Sequence, residues 1–320
     1  MAREVVCIDR GCVSGAVDAQ QLVRDSRELL EVLRKLDELQ TDVFSSAPYY
    51  EFAAGNFGRA IYEILYEGWL SDQFTEDELR ELRVQLERLW RHEGEPAEVN
   101  LVCTAQQVDV VSHDYPYLML IGRVREPLGV LYRVGDAPQG IGSIMHDATK
   151  VHALFFSNAK QITQLLRYSF QLRATADDEL HDAAARAFPL LHFHEKLSVN
   201  SFGLDLNEHL PTVCLHLGFL NDEFLAIAKE SGWDLPQVIA AAKAKAVDFS
   251  DESDNTKRAK QKIRERNVAF LTQKGDPKVV LCTLHTKITA TRGRIHFHPP
   301  VPEIAPGRLL VGKFCEHLPV

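Results

Sequence analysis

The stretch with the densest chemistry is Arg292-Gly293-Arg294-Ile295-His296-Phe297-His298. Side chains alternate between the two faces of a β-strand. Read as a strand, it sets Arg292, Arg294, His296 and His298 on one face and Gly293, Ile295 and Phe297 on the other. The apolar face can anchor in a core while the opposite face shows two guanidiniums and two imidazoles. Upstream, His285 and Lys287 also lie two apart. If Ile288 pairs with Gly293 across a Thr289–Arg292 turn, His285 stands opposite His296 and Lys287 opposite Arg294. A slip of one residue changes these partners. Leu309 to Phe314 reads as a third strand, with His317 beyond it. One small sheet would then collect His285, Lys287, Arg292, Arg294, His296, His298 and His317.

That set suits RNA cleavage without a cofactor. One imidazole takes the 2′-hydroxyl proton, another group protonates the leaving oxygen, and cations stabilise the charge building on the phosphate. His296 or His298 would be the base. Arg294 and Lys287 would hold the phosphate, and His317 or His285 would be the acid. The order of a strand with His285, a strand with Arg294 and His296, an apolar Leu309-Leu310-Val311 strand and a terminal His317 resembles the end of RelE/ParE-type ribonuclease toxins. The resemblance implies a small antiparallel sheet with helices packed on it, cutting RNA with scattered basic and histidine residues. The chain departs from that family in its greater length and its acidic balance.

A second chemistry is metal binding. His-x-His occurs at His192/His194 and at His296/His298. Two imidazoles on one strand face can bind zinc, with His285, His317 or Cys315 completing a tetrahedron. Glu195, beside the first pair, could be a ligand or a base. A third reading has no catalysis. Lys257, Arg258, Arg264, Arg292, Arg308 and Lys313 would contact the phosphates of RNA or DNA, or the sheet would hold a protein partner.

Charge placement points equally to an anionic partner and to docking within the chain. From Lys257 to Val320 there are thirteen Lys/Arg and four Asp/Glu, a net of +9 in a chain of net −9, so residues 1–256 carry −18. The basic part can meet a polyanion or dock on acidic residues of its own chain. Six cysteines without a C-x-x-C pair read as buried thiols. No apolar run is long enough for a membrane span, and the start has no signal-like apolar region, so a cytoplasmic, membrane-free protein is expected. There is no GxxxxGK[ST] loop, HExxH or GxSxG, and Gly140-Ile141-Gly142 lacks the context of a dinucleotide site.

The elements that must position these residues suggest an α+β protein in three parts. Residues 1–145 form an N-terminal part, 146–256 a helical region, and 257–320 a basic helix plus a C-terminal antiparallel sheet. The first part has a short buried strand at 4–8 and a helix from about Val17 to Leu39 on Leu22, Leu29, Leu33 and Leu36. Helices follow from Ile61 to Leu70 and from a Thr75–Glu78 capping box to about Arg91. Strand-like runs at Val99–Cys103, Val108–Val111, Leu118–Ile121 and Val130–Tyr132 should pair as antiparallel neighbours. Gly135 to Ser143 reads as a linker. Pro48-Tyr49-Tyr50 offers tandem tyrosines for packing, for stacking on bases or for a partner. In the helical region, Pro211 suits a first helical turn and Asp234 caps an alanine-rich helix. The acids of Ser250–Asp254 followed by the bases of Lys257–Arg266 complement the dipole of one helix.

Overall fold

The computed structural model describes residues 4–9, 11–45, 48–91, 128–131, 140–146, 149–174 and 177–316. The strand-like runs at 99–103, 108–111 and 118–121, together with Cys103 and His317, lie outside the described residues. Two compact units divide the chain, 1–168 and 169–320. Helices and sheets occur in both, in keeping with the α+β reading.

The first unit is built on β1 (Val5–Ile8), whose four residues are all buried. A strand buried on both faces is what the interior of a parallel sheet demands. β1 pairs in parallel with β2 (Asp42–Ser45) on one side and β4 (Leu128–Leu131) on the other. With β3 (Trp90–Arg91), β5 (Gly140–His146) and β6 (Thr149–Phe156), the strand order is β3-β2-β1-β4-β6-β5. Among the described strands of this sheet, only β5 runs antiparallel to its neighbour. The antiparallel N-terminal sheet expected from sequence is therefore corrected for the described strands. The cause is α1 (Ala19–Glu38), which lies between β1 and β2. A crossover of that length returns the chain parallel to its first strand.

Local signals in this unit hold. Leu22, Leu29, Leu33 and Leu36 of α1 are buried, and Asp18 caps it by accepting the Gln21 amide at 2.7 Å. α2 is shorter than its apolar spacing suggests, Ile61–Tyr66. α3 (Glu76–Glu87) has the full capping box, Glu78 N–H to Thr75 Oγ1 at 3.1 Å and Thr75 N–H to Glu78 Oε2 at 2.8 Å. Glu78 also takes Arg27 of α1, which holds its carboxyl down at about 2 and ties the two helices together. The expected linker is instead partly a strand. Gly140–His146 is β5, paired with β6 from Gly140↔Phe155 to His146↔Thr149, so the boundary near 145 moves to 168/169.

The chain enters the second unit within α4 (Ile162–Arg173) and continues through α5 (Asp177–Ala187), α6 (Leu206–Asp222), α7 (Phe224–Glu230) and α8 (Leu235–Ala244). Asp234 caps α8 as expected, on the Gln237 amide. Pro211 sits inside α6, because Asp205 caps the helix a turn earlier. The basic run forms two short helices, α9 (Asp254–Arg258) and α10 (Lys260–Arg264), broken where Ala259 adopts an extended backbone.

The main sheet of this unit has the order β7-β13-β12-β11-β8. Its strands are β7 (Leu191–Phe193), β8 (Asp248–Ser250), β11 (Leu284–Lys287), β12 (Arg294–His298) and β13 (Leu309–Cys315). The helical region thus supplies both edge strands, so 146–256 and 257–320 are not separate bodies. The strand expected over Val279–Ile288 is two. β10 (Pro277–Leu281) pairs with β9 (Asn267–Leu271) in a ribbon, and β11 joins the main sheet after a break at Cys282–Thr283. Ile295 and Phe297 are fully buried, Phe297 edge-on to Phe224 at 5.0 Å between ring centroids. That is the anchoring expected of them. The other face of β12 is also covered, with Arg294 5% and His296 2% exposed.

Candidate metal centre

The β11–β12 ladder has the register that places Ile288 against Gly293, with the Ile288 amide donating to the Gly293 carbonyl at 2.8 Å. His285 lies opposite His296, and Lys287 opposite Arg294. Directly opposed residues bring their side chains together, and the imidazole centroids are 4.9 Å apart. Glu252, in the turn after β8, joins them. One donor atom from each of Glu252, His285 and His296 lies within 4.8 Å of the others.

Hydrogen bonds orient both rings. His296 Nδ1 lies 3.2 Å from the Cys282 carbonyl and His285 Nδ1 lies 3.3 Å from that of Thr283. A carbonyl accepts only, so both Nδ1 atoms carry the proton and both Nε2 atoms present lone pairs. His285 Nε2 accepts from Ser250 Oγ at 3.0 Å, a bond that an ion would have to replace, while His296 Nε2 makes no hydrogen bond among the described residues. Nδ1 on a carbonyl with Nε2 turned to the ion is the usual arrangement of a metal-bound histidine. Burial, then the neighbouring His285, pushes His296 down to about 3, and burial lowers His285 as well. Both rings are therefore neutral at physiological pH, which is the ligating form.

Glu252 is held from behind. Arg266 is 2% exposed and donates from Nε to Glu252 Oε1 at 2.9 Å. A second bond from Arg266 reaches the Lys262 carbonyl at 2.8 Å. Among the described residues Glu252 Oε2 makes no hydrogen bond, and the Arg266 pair fixes the carboxylate as outer partners of metal ligands do. Zinc bonds near 2.0–2.1 Å place donors roughly 3.4 Å apart, so side-chain rotations would need to close any gap by at most about 1.4 Å.

The other residues singled out from sequence sit elsewhere or are engaged. Arg294 is not on a phosphate-facing surface, since its terminal nitrogens donate to the carbonyls of Thr289, Ala290, Arg292 and Gly293 at 3.0–3.1 Å. Lys287 pairs with Asp248 at 3.6 Å. His298 lies past a register shift between His296 and Phe297, and its Nδ1 faces the Pro299 carbonyl at 2.7 Å. Cys315 is opposite Arg294, and burial pushes its thiol up to about 11. Of His285, His296, His298 and Cys315, only His285 and His296 are brought together, and the residue that converges with them is Glu252. His194 of the first His-x-His pair engages the Ala269 carbonyl at 3.2 Å, and neither it nor His192 or Glu195 joins a three-donor group among the described residues.

Several of the basic residues dock on the chain's own acids and carbonyls. Lys257 pairs with Asp251, Arg292 with Glu316, and Lys313 donates to the Glu265 carbonyl. Arg258, Arg264 and Arg308 are exposed and make no ion pair among the described residues.

Sequence reasoning missed Glu252 and Arg266, which it read as helix-dipole charges. The available signal was their reach: an acid just before a basic run, and an arginine directly before an alternating strand. In the first unit, β1 and β4 flank the point where strand order reverses, the usual ligand crevice of such sheets. Asp9 stands there, 5% exposed, with Oδ1 accepting the Gly11 amide at 2.7 Å. No family model, curated protein or solved structure matches the chain.

Proposed function

We propose that the second unit is a metal-binding module in which Glu252, His285 and His296 hold a divalent transition ion of the zinc class. The convergence of three donor atoms within 4.8 Å carries this reading. It is supported by the carbonyl-held Nδ1 atoms and by the Arg266 brace on Glu252. The two histidines are too enclosed to admit more than water or a small ligand, being 8% and 2% exposed. The ion would therefore act first as a staple joining β11, β12 and the turn after β8. Three protein donors leave a fourth position for water or for Ser250 Oγ.

The test is elemental analysis of purified protein together with zinc titration followed by thermal unfolding. One equivalent of zinc is expected in the parent and none in His296→Ala or Glu252→Gln. At a hundredfold excess over its Kd, zinc should add about 2.7 kcal/mol to stability. A parent that neither retains zinc nor is stabilised by it refutes the reading.

Nucleic-acid contact is a second reading, supported by the exposed Arg258, Arg264 and Arg308. RNA or DNA affinity that falls steeply with salt and is lost in Arg258→Gln/Arg264→Gln would favour it.

A further inference from the structure

The first unit exposes a tyrosine surface unrelated to the metal centre. Tyr49 and Tyr50 lie on a short 3-10 turn, and Tyr62 and Tyr66 lie one turn apart on α2. Side chains four apart on a helix are neighbours, and these two rings stack at 4.8 Å between centroids. Tyr49 connects the pairs, 6.4 Å from Tyr66 and 5.9 Å from Tyr50. Its hydroxyl is 3.2 Å from that of Tyr66. Tyr50, Tyr62 and Tyr66 are 51%, 37% and 39% exposed. Packing among the four rings thus leaves broad ring area open to solvent, and tyrosine is a residue favoured at the centres of interfaces.

The charge around these rings chooses among partners. Residues 48–88 hold nine Asp/Glu and four Lys/Arg, and of the acids Glu78 and Glu81 are matched by Arg27 and Arg34 of α1 and Glu63 by Arg59. Two of the four arginines already lie over aromatic rings: Arg83 over Tyr66 at 4.4 Å and Arg59 over Trp69 at 4.9 Å. The other two, Arg80 and Arg88, pair with Asp77 and Asp37. Glu51 follows Tyr50 and Glu67 follows Tyr66; both are exposed and in no ion pair among the described residues. A phosphate backbone would be repelled here. A guanidinium would meet a ring face and a carboxylate together, the combination that makes cation–π contacts favourable.

We propose that the surface of Tyr49, Tyr50, Tyr62 and Tyr66, edged by Glu51 and Glu67, docks an arginine-bearing peptide segment of another protein. Arg83 on Tyr66 shows the contact inside the fold; the peptide repeats it on the open rings of Tyr50 and Tyr62.

The test is fluorescence anisotropy of the full chain with a labelled arginine–glycine repeat peptide, with oligo-dT as comparator. The peptide should bind and oligo-dT should not. Tyr50→Ser/Tyr62→Ser, which leaves the net charge unchanged, should weaken peptide binding at least tenfold, as should the single variant Tyr50→Lys. Glu76→Gln/Asp77→Asn, elsewhere on the same acidic stretch, should leave affinity within twofold. Equal affinity in the tyrosine variants would reduce the effect to bulk charge and overturn the proposal. So would absence of peptide binding, or tighter binding of oligo-dT.

Discussion

His285 and His296 face each other across the β11–β12 ladder with ring planes 31° apart, and each Nδ1 is held by a backbone carbonyl. The pair is kept neutral by its surroundings, and stability should therefore depend on pH. In the unfolded chain both rings titrate near about 6.5. Burial holds His285 below that value and His296 at about 3. His216, buried on α6, is pushed down to about 4 and acts in the same sense. Below pH ~6.5 the unfolded state binds more protons than the folded state. Stability is thus full above that pH and is lost as pH falls toward about 3, by roughly 1.4 kcal/mol per pH unit for each such ring within its window. Urea midpoints measured from about pH 7.5 down to about pH 5 should fall steadily, and His296→Gln should flatten the curve. A midpoint that does not move over that range would contradict the buried neutral pair.

The Arg266–Glu252 pair is enclosed, with side chains 2% and 8% exposed. Removing one partner leaves a buried charge without its counterpart, so Arg266→Ala should cost about 3–5 kcal/mol. Replacing both by apolar residues, Arg266→Met/Glu252→Leu, should recover most of that loss. It should also abolish any zinc binding, which separates the structural role of the pair from the role proposed for Glu252 as a ligand. Chemical denaturation and metal analysis of the same two variants decide the matter. A double variant as unstable as the single one would argue against the pair as a self-contained unit.

Arg294 gathers four carbonyls of the β11–β12 turn. Lysine keeps the charge but not the planar fork. Arg294→Lys should therefore destabilise the protein by about 2 kcal/mol, chiefly through the Thr289 and Ala290 carbonyls, since those of Gly293 and Arg292 keep the Ile288 and Thr289 amides. The loss appears in thermal unfolding without any substrate. Unchanged stability would free Arg294 for a role on an anion.

Gly293 closes the same turn at φ +72°, and a Cβ there would run into Leu204. Gly293→Ala should cost about 1–3 kcal/mol from backbone conformation, and more from the clash. Gly275 has φ +86° but open space around it. Gly275→Ala should thus be the milder change in a side-by-side melt.

How far the sequence could be read depends on the range of the interaction. The Thr75 box, the Asp234 cap and the leucine stripe of α1 are set within a few residues, and all appear as expected. The facing of His285 and His296 was also legible, because a tight turn fixes a short hairpin's register. Glu252 was not, since it reaches the histidines only through the pairing of β8 with β11, over thirty residues of intervening chain. The period-two pattern of Arg292–His298 gave the right faces but the wrong openness. Alternation separates two faces without saying which is covered, and here both are. Parallel pairing in the first unit was missed for a related reason. A buried four-residue strand looks the same in either orientation, and only the helix that returns the chain decides between them.

The position of β13 bears on how the second unit is made. It lies between β7 and β12 in the sheet, yet it is the last strand among the described residues. While a ribosome is still adding residues 309–315, β7 has no neighbour among the described strands and β12 keeps one open edge. Unpaired edges of this kind recruit other strands. The sheet therefore closes only when its late-arriving strand slides between two that have been waiting for it.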